Sequence, residues 1–222
     1  MTASQWELLW TSLGPIVSGA VTGTIPLALT SFVLGLAIAL GVALARISRV
    51  RVVSGAARVY ISVIRGTPLL VQLFVIFYGL PSVGVLLDPW PSAIIAFALN
   101  VGGYGAEVIR AAILSVPVGQ WEAGHTIGMS RVQTLRRIIL PQAARVSVPP
   151  LSNTFISLVK DTSLASLILV TELFRRAEEI ATFSNEFMLL YLEAAVVYWV
   201  ICLVLSSGQN VLEKRLDRYV AH

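Results

Sequence analysis

Between Glu7 and Arg46 the chain carries no charged residue at all. That stretch is well beyond the about 20 residues that a helix needs to cross hydrocarbon. It commits the first fifth of the sequence to a lipid environment or to an unusually large core. The rest of the chain decides between them. Of 222 residues, 56% are hydrophobic and only 13% charged, with a mean hydropathy of +0.82. A soluble domain has about a quarter of its residues charged, and one small globule cannot hide so much apolar side chain. The chain therefore reads as an integral membrane protein. Helices are the expected spans, because a segment in hydrocarbon must satisfy its own backbone hydrogen bonds. A barrel would need short alternating segments, and these are long and continuously apolar.

Five spans are expected. The first runs from about Ile16 to Ala45, behind an N-terminal lead-in. A second, from Val59 to Leu80, is interrupted by Arg65 and by Gly66-Thr67-Pro68. Pro91 opens a third that reaches about Leu114. Pro149-Pro150 starts a fourth that ends near Val170, and the fifth lies between Phe187 and Leu212. Arg46, Arg49, Arg51 and Arg58 fall between spans one and two. Arg110, Arg131, Arg136, Arg137 and Arg145 fall between three and four, and Lys214, Arg215 and Arg218 form the tail. The segments before span one and between two and three carry only Glu7 and Asp88. Positive loops stay in the cytoplasm, so the N-terminus is expected outside and the C-terminus inside. The net charge of +4 thus reports topology rather than nucleic-acid binding. No signal peptide is evident, since Met1 to Trp10 has Glu7 and no cation, and the first span is expected to act as its own insertion signal. Cys202, alone in an apolar run, reads as a small buried hydrophobe.

The loop from Gln120 to Pro141 is the most structured of the cytoplasmic segments. Gln120 to Ile127 can form a short helix, which Gly128 is placed to terminate in a left-handed conformation. Ser130 and Gln133 have the spacing of a capping box for a second helix. On it Val132, Leu135 and Ile139 share a face, and Pro141 is expected to stop it. Such a hairpin either lies on the membrane surface or docks a partner. Ala123 and Gly124, small residues beside Glu122, favour docking.

Glu122-Ala123-Gly124, three residues, Gly128, nine residues, then Ile138-x-Leu140-Pro141 resembles the EAA loop of bacterial ABC importer permeases. The one departure is Gly124, where the motif usually has a second Ala. Arg65-Gly66-Thr67-Pro68-Leu69-Leu70 with Gln72-Leu73-Phe74 is similar to the second span of the polar amino-acid permeases. Asn153-x-Phe155-x-x-Leu158-Val159-Lys160-Asp161-Thr162-Ser163-Leu164 is similar to their fourth, and within that family the likeness is nearest to cystine permeases. The resemblance implies one transmembrane permease domain over residues 1–222, of the five-helix type I fold, with a coupling loop at about 117–145. It implies a bacterial inner-membrane location, a second permease subunit (a copy or a paralogue), two ATPase subunits and an extracytoplasmic amino-acid-binding protein. Glu122, Ala123, Gly124 and Gly128 would contact the ATPase, and Ile138, Leu140 and Pro141 would anchor the loop. The sequence has no G-x-x-x-x-G-K-[ST] phosphate loop, so no cofactor is expected on this chain, and ATP and Mg belong to the partner. The transported molecule implied is a polar L-amino acid, with L-cystine the refinement.

Polar residues within the spans are the candidates for the substrate path: Thr67, Gln72, Asn100, Glu107, Lys160, Asp161, Thr162 and Ser163. A charge at that depth costs at least about 2–3 kcal/mol unless paired or wetted. Lys160 and Asp161 therefore either pair with other helices and hold the bundle together or line a cavity for a zwitterion. Arg65 reads as a snorkelling side chain, His125 as a surface residue rather than a metal ligand, and Trp6, Trp10, Trp90, Trp199, Tyr60 and Tyr198 as interfacial aromatics. An ion-coupled secondary transporter using Glu107 or Asp161 is the competing class, disfavoured by the lack of an inverted repeat. An intramembrane enzyme lacks any nucleophile–base pair.

Overall fold

The computed structural model describes residues 3–217, and among them there is helix, turn and no strand. Helix α1 (Ala3–Gly19) runs through a widened turn (Ala20–Thr24) into α2 (Ile25–Arg46). A short turn leads to α3 (Arg51–Gly66), and α4 (Leu69–Phe74) follows. Next come α5 (Pro89–Ser115), α6 (Val118–Thr126) and α7 (Arg131–Thr134). The chain ends with α8 (Leu140–Asp161), α9 (Leu173–Ser184) and α10 (Phe187–Asp217). Three helical runs are long and apolar enough to cross a membrane: Ala3–Arg46, Pro89–Ser115 and Phe187–Arg215. Two bent pairs bring the number to five if each is one span. One breaks by 107° between Gly66 and Leu69, and the other by 48° between Ile168 and Leu173. The first break falls on Gly66-Thr67-Pro68, as the sequence predicts: Pro68 lacks an N–H and forces Thr67 into an extended conformation. Of the tail cations, Arg218 lies outside the described residues.

Three prolines do not do what their sequence position suggests. Pro141 is expected to stop a helix, and Pro149-Pro150 to start one, yet the chain is helical from Arg131 to Ile168. The expected lead-in before Ile16 is likewise helix, continuous with the first span. At Pro141 the physical reason is a shift in hydrogen-bond register, whereas Pro149 and Pro150 lie inside α8 with no widened turn before them. Just before Pro141, at Leu135–Ile139, the Leu140 N–H reaches back five residues to Leu135 O. The widened turn makes room for the pyrrolidine ring, whose missing N–H then costs no regular bond. The same arrangement recurs before Pro26 (Ile25 N–H to Ala20 O) and before Pro81 (Leu80 N–H to Val75 O). One rule thus accounts for all three sites.

Lipid offers helices no hydrophobic gain from association, so packing relies on small residues that let backbones approach. Helices α2 and α5 run together along most of their length. A Cβ on Gly35 would stand 2.6 Å from Val101 Cβ, and one on Gly102 would stand 2.6 Å from Ile38 Cγ2. Phe97, Leu27, Leu73 and Leu158 fill the centre of the bundle. Ile113, Ile139 and Ala43 fill the end that carries α6 and α7. At the opposite end, Ile16, Leu173, Leu190 and Ala194 join α1, α9 and α10.

That opposite end is organised by a fully buried Glu172. Its carboxyl group caps α9, accepting from Phe174 N–H at 2.9 Å and Arg175 N–H at 2.7 Å. It also accepts from Tyr198 OH at 2.8 Å and from Thr24 Oγ1 at 3.3 Å, the latter in the first widened turn. Four donors from three segments compensate the desolvation of one acid. Gly19 and Gly23 make the seat: a Cβ on Gly23 would lie 2.5 Å from Thr171 O and 2.6 Å from Glu172 Cα. Tyr198 and Tyr60, expected as interfacial aromatics, are internal clasps instead, since Tyr60 OH donates to Leu99 O at 2.7 Å. Gly23→Ala should lower the melting temperature of the purified protein, overpacking of this kind costing about 1–3 kcal/mol. Gly41→Ala, where a Cβ meets nothing, should leave it unchanged or raise it.

Candidate functional site: the α6–α7 hairpin and the polar interior

Two short helices at one end of the bundle form the hairpin. Helix α6 ends as the sequence predicts, with Gly128 in the left-handed region at φ +78°. Its last carbonyls are closed by Gly128 N–H to His125 O and Met129 N–H to Gly124 O, each at 3.0 Å. The capping box is present in both directions. Ser130 N–H donates to Gln133 Oε1 at 2.8 Å, and Gln133 N–H donates to Ser130 Oγ at 3.3 Å. Gln142 Nε2 donates to Gln120 Oε1 at 3.3 Å, tying the start of α6 to α8. The Arg131 guanidinium lies 5.7 Å from the centre of the Trp121 ring.

Glu122, Ala123 and Gly128 are exposed on this hairpin, and the Glu122 carboxylate has no ion pair or hydrogen bond among the described residues. Gly124 differs: it is buried against α7, and a Cβ there would stand 2.6 Å from Thr134 Cγ2 and 2.7 Å from Thr134 Oγ1. It therefore faces its own hairpin and not a partner. The second arm also departs from the expected face. Val132 is exposed, and the fully buried residues are Thr134 and Ile139. Ile138 and Leu140 are half-buried against the same cluster, while Pro141 is exposed and anchors nothing by burial. The widened turn at Leu135–Ile139 holds an extra residue and so shifts the face relative to a regular helix, which periodicity alone does not anticipate.

Beside the hairpin a groove of about 1400 Å³ opens toward the α2–α3 turn. Arg46, Arg49, Arg110 and Arg131 line it with Trp121 and His125, and no carboxylate does. The face next to the exposed Glu122 is thus strongly basic.

The polar interior residues separate into three groups. Gln72 bridges the break after α3: its Nε2 donates to Ile64 O at 2.7 Å, to Thr67 Oγ1 at 2.9 Å and to Thr67 O at 3.1 Å. Its Oε1 accepts from Asn100 Nδ2 of α5 at 3.1 Å. Thr67, Gln72 and Asn100 are therefore one cluster, and it replaces the hydrogen bonds that Gly66-Thr67-Pro68 remove. Glu107 stands apart, paired with Arg110 one turn on at 2.7 Å. Arg110, expected in the loop, lies inside α5 for that reason. Lys160 and Asp161 form no ion pair among the described residues, with each other or with another helix. Thr162 and Ser163 turn their hydroxyls onto Val159 O and Lys160 O, closing the end of α8. Arg65 is exposed and lies over the Tyr104 ring at 5.4 Å. Among the described residues no group of His, Cys, Asp and Glu is arranged to hold a metal. Sequence reasoning passed over Glu172, Thr24 and Thr134, and gave Tyr198 only an interfacial role. The G-x-x-x-G spacing of Gly19 and Gly23 signals a close helix approach at that place, without naming the groups that meet there.

Residues 37–218 match the family of binding-protein-dependent transport system inner membrane components. The chain is 61% identical over 221 residues to the L-cystine transport system permease protein TcyB of Bacillus subtilis, covering 99% of this chain and 94% of that one. It is 37% identical to the glutamine transport system permease protein GlnP of Escherichia coli, covering 96% and 97%. A crystal structure of an amino acid ABC transporter solved with histidines superposes with a TM-score of 0.89 at 33% identity, over 97% of this chain and 100% of that one. An all-helical bundle of the type I permease fold with a protruding hairpin defines a membrane component of an importer. The chain belongs to the binding-protein-dependent transport family, as a non-catalytic permease subunit of an ABC transporter whose ATPase is a separate chain. Gln72→Leu should slow uptake about tenfold at unchanged protein level, the loss of one or two bracing hydrogen bonds at about 1 kcal/mol each. Transport assays in membranes matched by immunoblot would measure it.

Proposed function

We propose that the chain carries a polar L-amino acid, and L-cystine in particular, across the bacterial inner membrane. The 61% identity to an L-cystine permease along almost the whole chain supports the substrate. The exposed hairpin, with a Glu122 that is unpaired among the described residues and a left-handed Gly128, carries the mechanism. In this reading the single domain spans residues 1–222 and crosses the membrane five times, each bent pair being one span, with the N-terminus outside. The coupling loop at about 117–145 then faces the cytoplasm, where Glu122, Ala123 and Gly128 meet the ATPase. Gly124, Ile138 and Leu140 keep the loop in place rather than touch the partner, and Pro141 stands exposed beside them. One hairpin per chain facing two ATPases calls for a second permease, copy or paralogue, and an extracytoplasmic binding protein delivers the substrate. ATP and Mg are bound by the partner.

Closure of the ATPases pushes the hairpins, and the spans alternate between inward and outward access. Thr67, Gln72 and Asn100 brace the break in the second span, which positions its exposed backbone carbonyls along the path. Lys160 and Asp161, without an ion pair among the described residues, supply opposite charges for the carboxylate and ammonium of a zwitterion. Thr162 and Ser163 hold the end of the helix that presents them, and Glu107 with Arg110 serves the cytoplasmic end of α5.

Glu122→Lys and Gly128→Val should each abolish uptake while the permease remains in the membrane. A β-branched residue cannot adopt the φ of position 128 without strain. Radiolabelled L-cystine uptake, competed by a panel of amino acids, tests both halves. Full activity in either variant overturns the docking role, and the absence of saturable, permease-dependent L-cystine uptake overturns the substrate.

A further inference from the structure

Gly124 is the one place where the hairpin departs from the motif it resembles, and the structure supplies a reason for it. Helix α6 crosses α7 at that residue, and the atoms that exclude a Cβ all belong to Thr134: Cγ2 at 2.6 Å, Oγ1 at 2.7 Å and Cβ at 3.2 Å. Thr134 cannot give way. It is buried, β-branched and therefore stiff at χ1, and its hydroxyl donates to Ser130 O at 3.1 Å. The contact is thus a hard stop between the two arms.

Its position in the chain makes the stop matter. Thr134 is the last residue of α7, and from there the helix continues through the widened turn into α8 and on to Ile168. That run holds Ile139, fully buried in the bundle, and ends beyond Lys160 and Asp161. Glu122 and Ala123 sit two residues and one residue before Gly124, on the exposed side of α6. A push on α6 therefore reaches the long helix at Thr134 with no slack, the polar Gln120–Gln142 bond at 3.3 Å being the softer link to α8.

We propose that Thr134 is a positioning residue for coupling: through Gly124 it receives the displacement of α6 and passes it to the helix that carries Lys160 and Asp161. This rests on the docking role of the hairpin given above. The methyl group belongs on one side of the contact only. Added at 124, it displaces α6; removed at 134, it leaves slack.

The test uses the assembled transporter in proteoliposomes, with ATP hydrolysed and L-cystine accumulated measured on the same sample and ATPase co-purification recorded. Gly124→Ala and Thr134→Ala should each raise the ATP consumed per molecule transported by about tenfold, small misplacements having large effects on geometry-dependent steps. In both, the ATPase should remain bound. The double variant Gly124→Ala/Thr134→Ala, which moves the methyl across the contact, should return toward the wild-type ratio. Thr134→Val, which keeps the shape and loses the hydroxyl, should match wild type. The proposal is overturned if the single variants keep the wild-type ratio, if the double is no better than the worse single, or if Thr134→Val is uncoupled. Loss of the ATPase from either single variant also overturns it, because that marks an element lost rather than shifted. Glu122→Lys separates the two readings: if it is inactive while the methyl exchange has no effect, the hairpin docks but Thr134 does not transmit.

Discussion

Every backbone N–H and C=O of this chain that meets hydrocarbon must find its partner within the chain, because the solvent has none to give. That demand selects helices, and it also governs how helices are interrupted. At Pro26, Pro81 and Pro141 the chain widens one turn before the ring, so continuity survives the missing donor. At Gly66-Thr67-Pro68 it breaks outright, and the Gln72 amide is recruited to close the exposed carbonyls of Ile64 and Thr67. The same demand explains Glu172. An acid that would be prohibitive as a lone group becomes a cap when two backbone amides, a tyrosine and a threonine converge on it.

The type of fold was legible in the sequence because apolar length is a direct physical signal, and both the break at Pro68 and the left-handed Gly128 were legible for the same kind of reason. What was not legible was register. A proline reads as a helix boundary when only its own geometry is considered, and nothing local announces that Leu135–Ile139 will widen to accept it. Of the face the periodicity predicts, Ile139 is buried as expected while Val132, ahead of the turn, is left exposed. Long-range polar matches were equally hidden: Tyr198 looks like any aromatic near a span, and only the folded bundle brings it to Glu172.

The hairpin illustrates how a motif and its context are read together. Taken alone, glycine for alanine at 124 is a loss of helix propensity. Beside Thr134 it is a steric necessity, and the compensation lies ten residues away. The exposed part of the hairpin is small, yet its orientation is fixed four ways: by the Ser130–Gln133 box, the Gly128 terminus, the Gln120–Gln142 bond and the Arg131–Trp121 stack. In the docking role proposed for it, a hairpin held this firmly would deliver motion instead of absorbing it.

The cap at Glu172 also bears on biosynthesis. Its hydroxyl donors are Thr24, 148 residues earlier, and Tyr198, 26 residues later. As the chain emerges, Thr24 is already in place when α9 is made, but Tyr198 belongs to the last span. Until that span inserts, the acid lacks one of its partners and α9 is packed on α1 but not yet on α10. The final helix therefore acts as the closing step of assembly. A ribosome that stalls before it leaves a carboxyl group short of a donor in an apolar setting, a mark by which an unfinished permease differs from a finished one.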